Sequence, residues 1–347
     1  MARIRKRFVS LSLLCALATS GAFPLAAPVA EAATASKPAK KASTAKNKAS
    51  KSKVVKATPK KKSVRTAKAA PGKAVSSKAV PAASVRKASF GPSSSVIEDA
   101  DGNLSLRSSV AFVQDLTSSD VLFSKNEGAV APIASITKLM TALVVVDGGQ
   151  PLDEMLAITS EDIDTHKFTH SRLMVGTQLS RSDLLHLALM SSENRAANAL
   201  GRNYPGGLPA FVQAMNAKAA LLGMQDTRYV EPTGLSSDNV SSARDLVRLM
   251  REASQRPLIR EYTTDTNYSV AVKGRQQTFR NTNGLVARPD WNIIVSKTGF
   301  INEAGRCLIM LANIGGRDLA IVLLDSVGSL TRTADAQRIR QWVQKEL

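Results

Sequence analysis

At 347 residues, 44% of them hydrophobic, the chain is long enough for one large or two ordinary domains with a substantial core. A formal net charge of +19 suggests a nucleic-acid binder, but residues 33–90 hold 17 Lys and Arg and no acid, while from Gly91 onward 26 bases face 27 acids. The globular part is therefore close to neutral, which argues against nucleic acid as its partner.

At the amino end, Arg3, Arg5, Lys6 and Arg7 precede an apolar stretch over 8–30 that ends in Ala30-Glu31-Ala32. Basic, apolar and small-residue regions in that order make a secretory signal peptide (1–32), with cleavage expected after Ala32 and the product exported to the periplasm, soluble or loosely associated with wall or membrane. Gly21, Pro24 and Pro28 interrupt the apolar run and argue against an uncleaved anchor, and Leu14 is too bulky for a lipoprotein site at Cys15. Cleavage leaves Cys307 as the sole cysteine, so the mature monomer must be stabilised by its core rather than by a disulfide.

Residues 33–90 are built from Ala, Lys, Ser, Val, Thr and Pro, with one aromatic at the end. Such a segment buries too little apolar surface to offset its ordering entropy, and its like charges repel, so it reads as a disordered basic leader. As a flexible coil it spans roughly 40 Å or more. It is either a solvated spacer or an electrostatic contact to a polyanion such as anionic lipid headgroups or wall carboxylates, with nucleic acid disfavoured by export.

The remainder, 91–347, reads as one domain. Residues 110–115 and 121–123 form a hairpin across Thr117-Ser118-Ser119-Asp120. Helical patterns follow at 135–146, 182–190, 193–202, 208–222, 241–253 and 331–347. Short apolar runs at 293–295, 308–313 and 319–324 read as strands, with Gly315-Gly316 turning between the last two. Strands at both ends with helices between predict an α+β domain whose terminal segments share one sheet.

Three short motifs occur in order: Ser135-Ile136-Thr137-Lys138, Ser192-Glu193-Asn194 and Lys297-Thr298-Gly299. Ser-x-x-Lys also begins at Ser43, Ser50 and Ser84, all in the leader, and Ser-x-Asn recurs at Ser124 and Ser237. Ser135 differs from its decoys in opening a helix whose next turns, Leu139, Ala142, Leu143 and Val146, are apolar. An i, i+3 pair shares a helix face, bringing the Lys138 amine to the Ser135 hydroxyl. A serine hydroxyl is a poor nucleophile until a base takes its proton, so Lys138 must be neutral, through burial and a nearby cation such as Lys297. Taken alone, the pair also reads as a helix cap and a surface lysine.

Ser192 and Asn194 lie at a junction between two helical stretches, where polar side chains can enter a cleft; Ser192 could relay a proton from Lys138 and Asn194 hold a substrate backbone. A helix cap with Glu193 in the first turn is the plainer reading. Lys297-Thr298-Gly299 follows the strand at 292–296 and offers a cation, a hydroxyl and close backbone approach to a peptide ending in a carboxylate, or else marks a surface turn.

Together these motifs resemble the active-site set of penicillin-binding proteins and serine β-lactamases. Thr169-His170-Ser171-Arg172-Leu173, Leu222-Gly223-Met224, Glu231-Pro232-Thr233-Gly234-Leu235, Ser242-Ala243-Arg244-Asp245-Leu246 and Glu303-Ala304-Gly305-Arg306-Cys307 extend the likeness to low-molecular-mass D,D-peptidases, nearest the D-alanyl-D-alanine endopeptidase subgroup. The resemblance implies a β-lactamase/D,D-peptidase-like fold, an antiparallel sheet flanked by helices plus an all-α region, with the cleft between. It implies Ser135 as nucleophile, Lys138 as base, Ser192 as a catalytic partner, Asn194, Lys297, Thr298 and Gly299 as substrate-binding groups, and the backbone N–H groups of Ser135 and Phe300 as oxyanion hole. Peptidoglycan stem peptides are the implied substrate and β-lactams the implied inhibitors; no cofactor and no metal enter.

A β-lactamase would need a deacylating glutamate, and Glu231 lacks the accompanying asparagine. A D,D-carboxypeptidase shares the motif chemistry, since a cross-linked peptide also carries a carboxylate beside the scissile bond. The short reach beyond Gly299 leaves no room for a further domain and amphipathic anchor, which favours the endopeptidase. A non-catalytic polyanion- or wall-binding module would place the function in the leader. His166 and His170 have i, i+4 spacing without the acidic pattern of a metal site, and with His186 read as structural or surface residues. Cys307, on an apolar strand, reads as a buried, inert thiol.

Overall fold

The computed structural model describes residues 104–346; the expected signal segment, the basic leader and the first residues of the expected domain lie outside the described residues. The first elements are β1 (Ser108–Asp115), β2 (Val121–Lys125), β3 (Ala131–Pro132), a 3-10 turn (Ala134–Ile136) and α1 (Thr137–Asp147). Next come β4 (Met155–Ala157), β5 (Gln178–Ser180), α2 (Arg181–Met190), α3 (Asn194–Arg202) and α4 (Gly207–Leu221). They are followed by β6 (Val240–Ser241), α5 (Ala243–Ser254), α6 (Pro257–Thr264), β7 (Asn267–Val272) and β8 (Arg275–Arg280). The chain closes with β9 (Asn292–Ile301), β10 (Gly305–Ile314), β11 (Arg317–Ser326) and α7 (Thr331–Glu346).

Five strands form an antiparallel sheet in the order β2-β1-β11-β10-β9, so the expected pairing of terminal segments holds: Ala111 faces Leu323 and Val113 faces Ile321 across β1 and β11. Alternate residues of these strands enter two separate cores. Ala111, Val113, Leu308, Met310, Ile321 and Leu323 pack with Ala336, Ile339 and Val343 of α7. Phe112, Ile309, Leu311, Val322 and Leu324 pack with Leu139 and Leu143 of α1 and Leu246 of α5. A sheet covered on both faces reads as an unbroken apolar run rather than an alternation, which is why 308–313 and 319–324 stand out in the sequence.

Several boundaries move for identifiable reasons. The predicted strand at 293–295 extends to Ile301, because Lys297, Thr298 and Gly299 pair with Ile309, Leu308 and Cys307; the motif lies within β9 and does not follow it. The helix at 241–253 starts at Ala243, with the Ser242 hydroxyl capping Asp245 N–H, while Ser241 pairs with Ala131. The hairpin β7–β8, turned at Lys273-Gly274, and helix α6 were not anticipated. No helix among the described residues is long and apolar enough to cross a membrane.

Candidate active site

The 3-10 turn carrying Ser135 sits where α1, the loop 231–239 and the edge strand β9 converge. Helix α1 is buried from Thr137 to Val145, so its polar groups need internal partners. Thr137 Oγ1 donates to Ala134 O at 2.8 Å and Thr141 Oγ1 to Pro232 O at 2.7 Å. The turn itself is strained: Ala134 adopts φ +50°, a left-handed conformation costly for a side-chain-bearing residue. Two glycines make it possible. A Cβ on Gly234, at φ +81°, would lie 1.9 Å from Ala134 O, and one on Gly299 would lie 2.9 Å from Ile133 O and 3.2 Å from Ser135 N. Gly299 thus admits the close approach of the protein's own serine turn.

Lys138 is fully buried, which removes the surface-lysine reading. Its Nζ lies 2.8 Å from Ser135 Oγ, 2.7 Å from Asn194 Oδ1 and 2.6 Å from Thr233 O. Burial lowers its pKa to about 7 against the upward pull of Glu231 and Glu193. The expected help from a neighbouring cation acts chiefly in the other direction: burial first, then Lys138 and Arg332, hold Lys297 well below the usual lysine range. As an ammonium, Lys138 can donate to all three oxygens. As an amine it retains two N–H donors for Asn194 Oδ1 and Thr233 O, and its lone pair is left facing the Ser135 hydroxyl.

Ser192 adopts φ +63° in the junction between α2 and α3, flanked by Ser191 and Glu193. It is not a cap: Glu193 takes the N-cap place and makes no capping bond, its carboxylate accepting instead from Ser171 Oγ at 2.6 Å. The hydroxyl of Ser192 is bonded by Lys297 Nζ at 2.8 Å, so its amine partner is Lys297 where Lys138 was expected. Asn194 has both ends of its amide engaged, Oδ1 by Lys138 and Nδ2 donating to Thr169 Oγ1 at 3.0 Å. Thr298 Oγ1 donates to Thr282 Oγ1 at 2.7 Å. Phe300 is 51% exposed at the outer edge of the sheet, where β9 has no further strand partner. All eight sequence-identified residues thus fall on the Ser135 turn and the start of α1, on the α2–α3 junction and the start of α3, or on β9.

Several further residues support the site, and Arg332 among them carried no sequence signal of its own. Arg332 donates to Gly299 O at 2.8 Å and Cys307 O at 2.9 Å, fastening β9 to α7. Glu231 accepts from Thr233 N and Gly234 N, each at 2.6 Å, and from Asn239 Nδ2 at 3.0 Å. Its carboxylate shapes the loop that presents Thr233 O to Lys138 and is therefore unsuited to activating a water. Asn239, of the rival Ser237-Asp238-Asn239, is buried in that scaffold. His166 and His170 are exposed, His186 is stacked between Tyr262 and Tyr268, and burial pushes the Cys307 thiol up to about 11. A cavity of about 470 Å³ lined by Phe112, Gln114, Val121, Arg244 and Arg248 shares none of the motif residues.

Residues 96–328 match the S11 peptidase family, described as D-alanyl-D-alanine carboxypeptidase. The chain is 52% identical over 241 residues to a D-alanyl-D-alanine endopeptidase of Pseudomonas aeruginosa, an alignment covering 69% of this chain and 78% of the relative. It is 48% identical, with the same coverage, to a D-alanyl-D-alanine endopeptidase of Escherichia coli K12. Among solved structures, the Streptomyces K15 DD-transpeptidase superposes with a TM-score of 0.64 at 26% identity, covering 69% of this chain and 97% of that one.

Proposed function

The chain belongs to the S11 family of D-alanyl-D-alanine carboxypeptidases, and from that premise we propose that Ser135 is the nucleophile with which it cuts D-alanyl peptide bonds of peptidoglycan. The observation that carries this reading is the 2.8 Å contact between the Ser135 hydroxyl and a wholly buried amine. Near neutral pH about half of that amine is uncharged, and its lone pair takes the hydroxyl proton as Ser135 Oγ attacks the carbonyl carbon of D-alanine. The developing oxyanion is met by the N–H groups of Ser135 and Phe300. Collapse breaks the C–N bond as the proton held by Lys138 is relayed to the leaving amine through the Ser192 hydroxyl, which gives its own proton to the amine and takes the one from Lys138 while Lys297 holds it in place. Lys297 and Thr298 hold the carboxylate of the departing residue, Asn194 lines the acyl side, and water releases Ser135. A β-lactam opens on the same hydroxyl.

Endopeptidase activity on D-Ala-diaminopimelate cross-links is the favoured specificity, supported by relatives so named at 48% and 52% identity, whereas carboxypeptidases so named stand at 29% to 32%. The amino-terminal signal pattern supports action in the periplasm. Purified cross-linked and pentapeptide muropeptides, incubated with wild type and Ser135→Ala, test the assignment. Loss of dimers with wild type alone supports the endopeptidase, release of terminal D-alanine supports the carboxypeptidase, and activity in Ser135→Ala refutes the mechanism.

A further inference from the structure

Asn194 has two chemically opposite ends, and only one orientation leaves Lys138 able to act as a base. With Oδ1 on the amine, an N–H is consumed and the lone pair remains for Ser135. Turned over, the amide would aim its own N–H at that lone pair and quench it.

Something must therefore choose the orientation, and the loop ahead of β5 contains it. The Asp164 carboxylate accepts from His166 N at 2.8 Å and Lys167 N at 2.9 Å through Oδ1, and from Thr169 N at 2.9 Å and Thr169 Oγ1 at 2.8 Å through Oδ2. Burial works to raise the Asp164 pKa, but the hydrogen bonds from Lys167, Thr169 and His166 outweigh it and keep the group ionised. An ionised carboxylate only accepts. The single proton of the Thr169 hydroxyl is thereby committed to Asp164, and its oxygen can offer Asn194 nothing but a lone pair. The Asn194 end that meets Thr169 must be the donating Nδ2, at 3.0 Å, and the end that meets Lys138 must be Oδ1.

We propose that Asp164 and Thr169 are positioning residues that fix the Asn194 amide in the orientation that leaves the Lys138 lone pair free for Ser135. This rests on the assignment of Ser135 and Lys138 given above. Neither residue touches the serine or the amine, so the relay acts through Asn194 alone.

Thr169 is exposed, so replacing it perturbs the core little. The test compares wild type, Thr169→Val, which keeps the shape and deletes the hydroxyl, and Thr169→Ser, which restores it. The readouts are the second-order rate constant for acylation by a fluorescent penicillin across pH, and the melting temperature. Thr169→Val is expected to acylate about five- to tenfold more slowly, the loss of one oriented hydrogen bond. Its acidic limb should move to lower pH, because an N–H facing Nζ disfavours the ammonium; Glu231, Glu193 and Lys297, the other titratable groups around that amine, are unchanged. Thr169→Ser should stay within about twofold of wild type, with all three melting temperatures alike. Wild-type acylation by Thr169→Val, or equal losses in the Val and Ser variants, overturns the relay. An unlabelled wild type would sink the Ser135 assignment and the relay with it.

Discussion

In the proposed mechanism Lys138 carries the proton equilibrium that decides when Ser135 can be activated. Its pKa of about 7 in the fold lies far below its ordinary value of 10.5, so the group is charged in the unfolded chain and half-neutral in the native one near neutrality. Acylation should therefore rise as pH climbs through about 7 and, at pH 5.5, fall about thirtyfold below its plateau. A flat profile between pH 5 and 8 would exclude Lys138 as the base. The same group makes stability increase with pH between about 7 and 10.5, the window in which the unfolded chain binds the extra proton. Lys297 bears a second consequence. Its amine is held well below the usual lysine range until an anion arrives, so a ligand carboxylate should raise it and draw in a proton. Calorimetry of an acylation-incompetent Ser135→Ala variant with a carboxylate-bearing peptide, in buffers of different ionisation enthalpy, should show net uptake; release would contradict the role given to Lys297.

Among the elements, the turn that carries Ser135 depends on close approach from two others. Gly234→Ala places a methyl group into Ala134 O, so acylation should drop at least about a hundredfold through displacement of the nucleophile. Gly223 provides the control, since it has φ +70° but nothing within 4 Å of its Cβ position. Gly223→Ala should cost about 1 kcal/mol of stability and leave acylation intact. These supports mark the limit of what the sequence discloses. Ser135, Ser192 and Lys297 were legible because each motif joins a reactive side chain to a local element. The Asp164–Thr169 link to Asn194, the Arg332 clasp on Gly299 and the room left by Gly234 depend on residues distant in the chain, and no periodicity reports them. Hairpin β7–β8 was missed for another reason. Its outward residues are interrupted by Ala271 and its inward ones are few, so the period of two is short and faint beside the helices that flank it.

At the scale of the whole domain, the sheet holds the site because the carboxyl-terminal helix is fastened to the first strand. The buried Asp335 of α7 accepts from Ser108 N at 2.8 Å, Ser108 Oγ at 2.7 Å and Arg107 N at 3.1 Å, and pairs with Arg338 at 2.7 Å. Asp335→Ala leaves buried donors without a partner and should lower unfolding free energy by about 2 to 4 kcal/mol, measured by urea denaturation, without moving the pH midpoint of acylation. A shift of that midpoint would show that α7 acts on the chemistry and not only on the frame. The α+β arrangement was legible at this scale because both faces of β10 and β11 are covered, giving apolar runs that no surface strand would show. Pairing of β1 with β11 followed from strands lying at the two ends, whereas the strand order and the edge position of β9 came only from the structure. The proposed mechanism requires that one hydroxyl, that of Ser135, be the group that becomes covalently modified. Intact-mass measurement after incubation with benzylpenicillin, followed by peptide mapping, tests it most directly. Wild type should gain a single adduct on the peptide containing Ser135 and Ser135→Ala none; an adduct on the variant, or one mapped elsewhere in the wild type, would rule out Ser135 as the nucleophile.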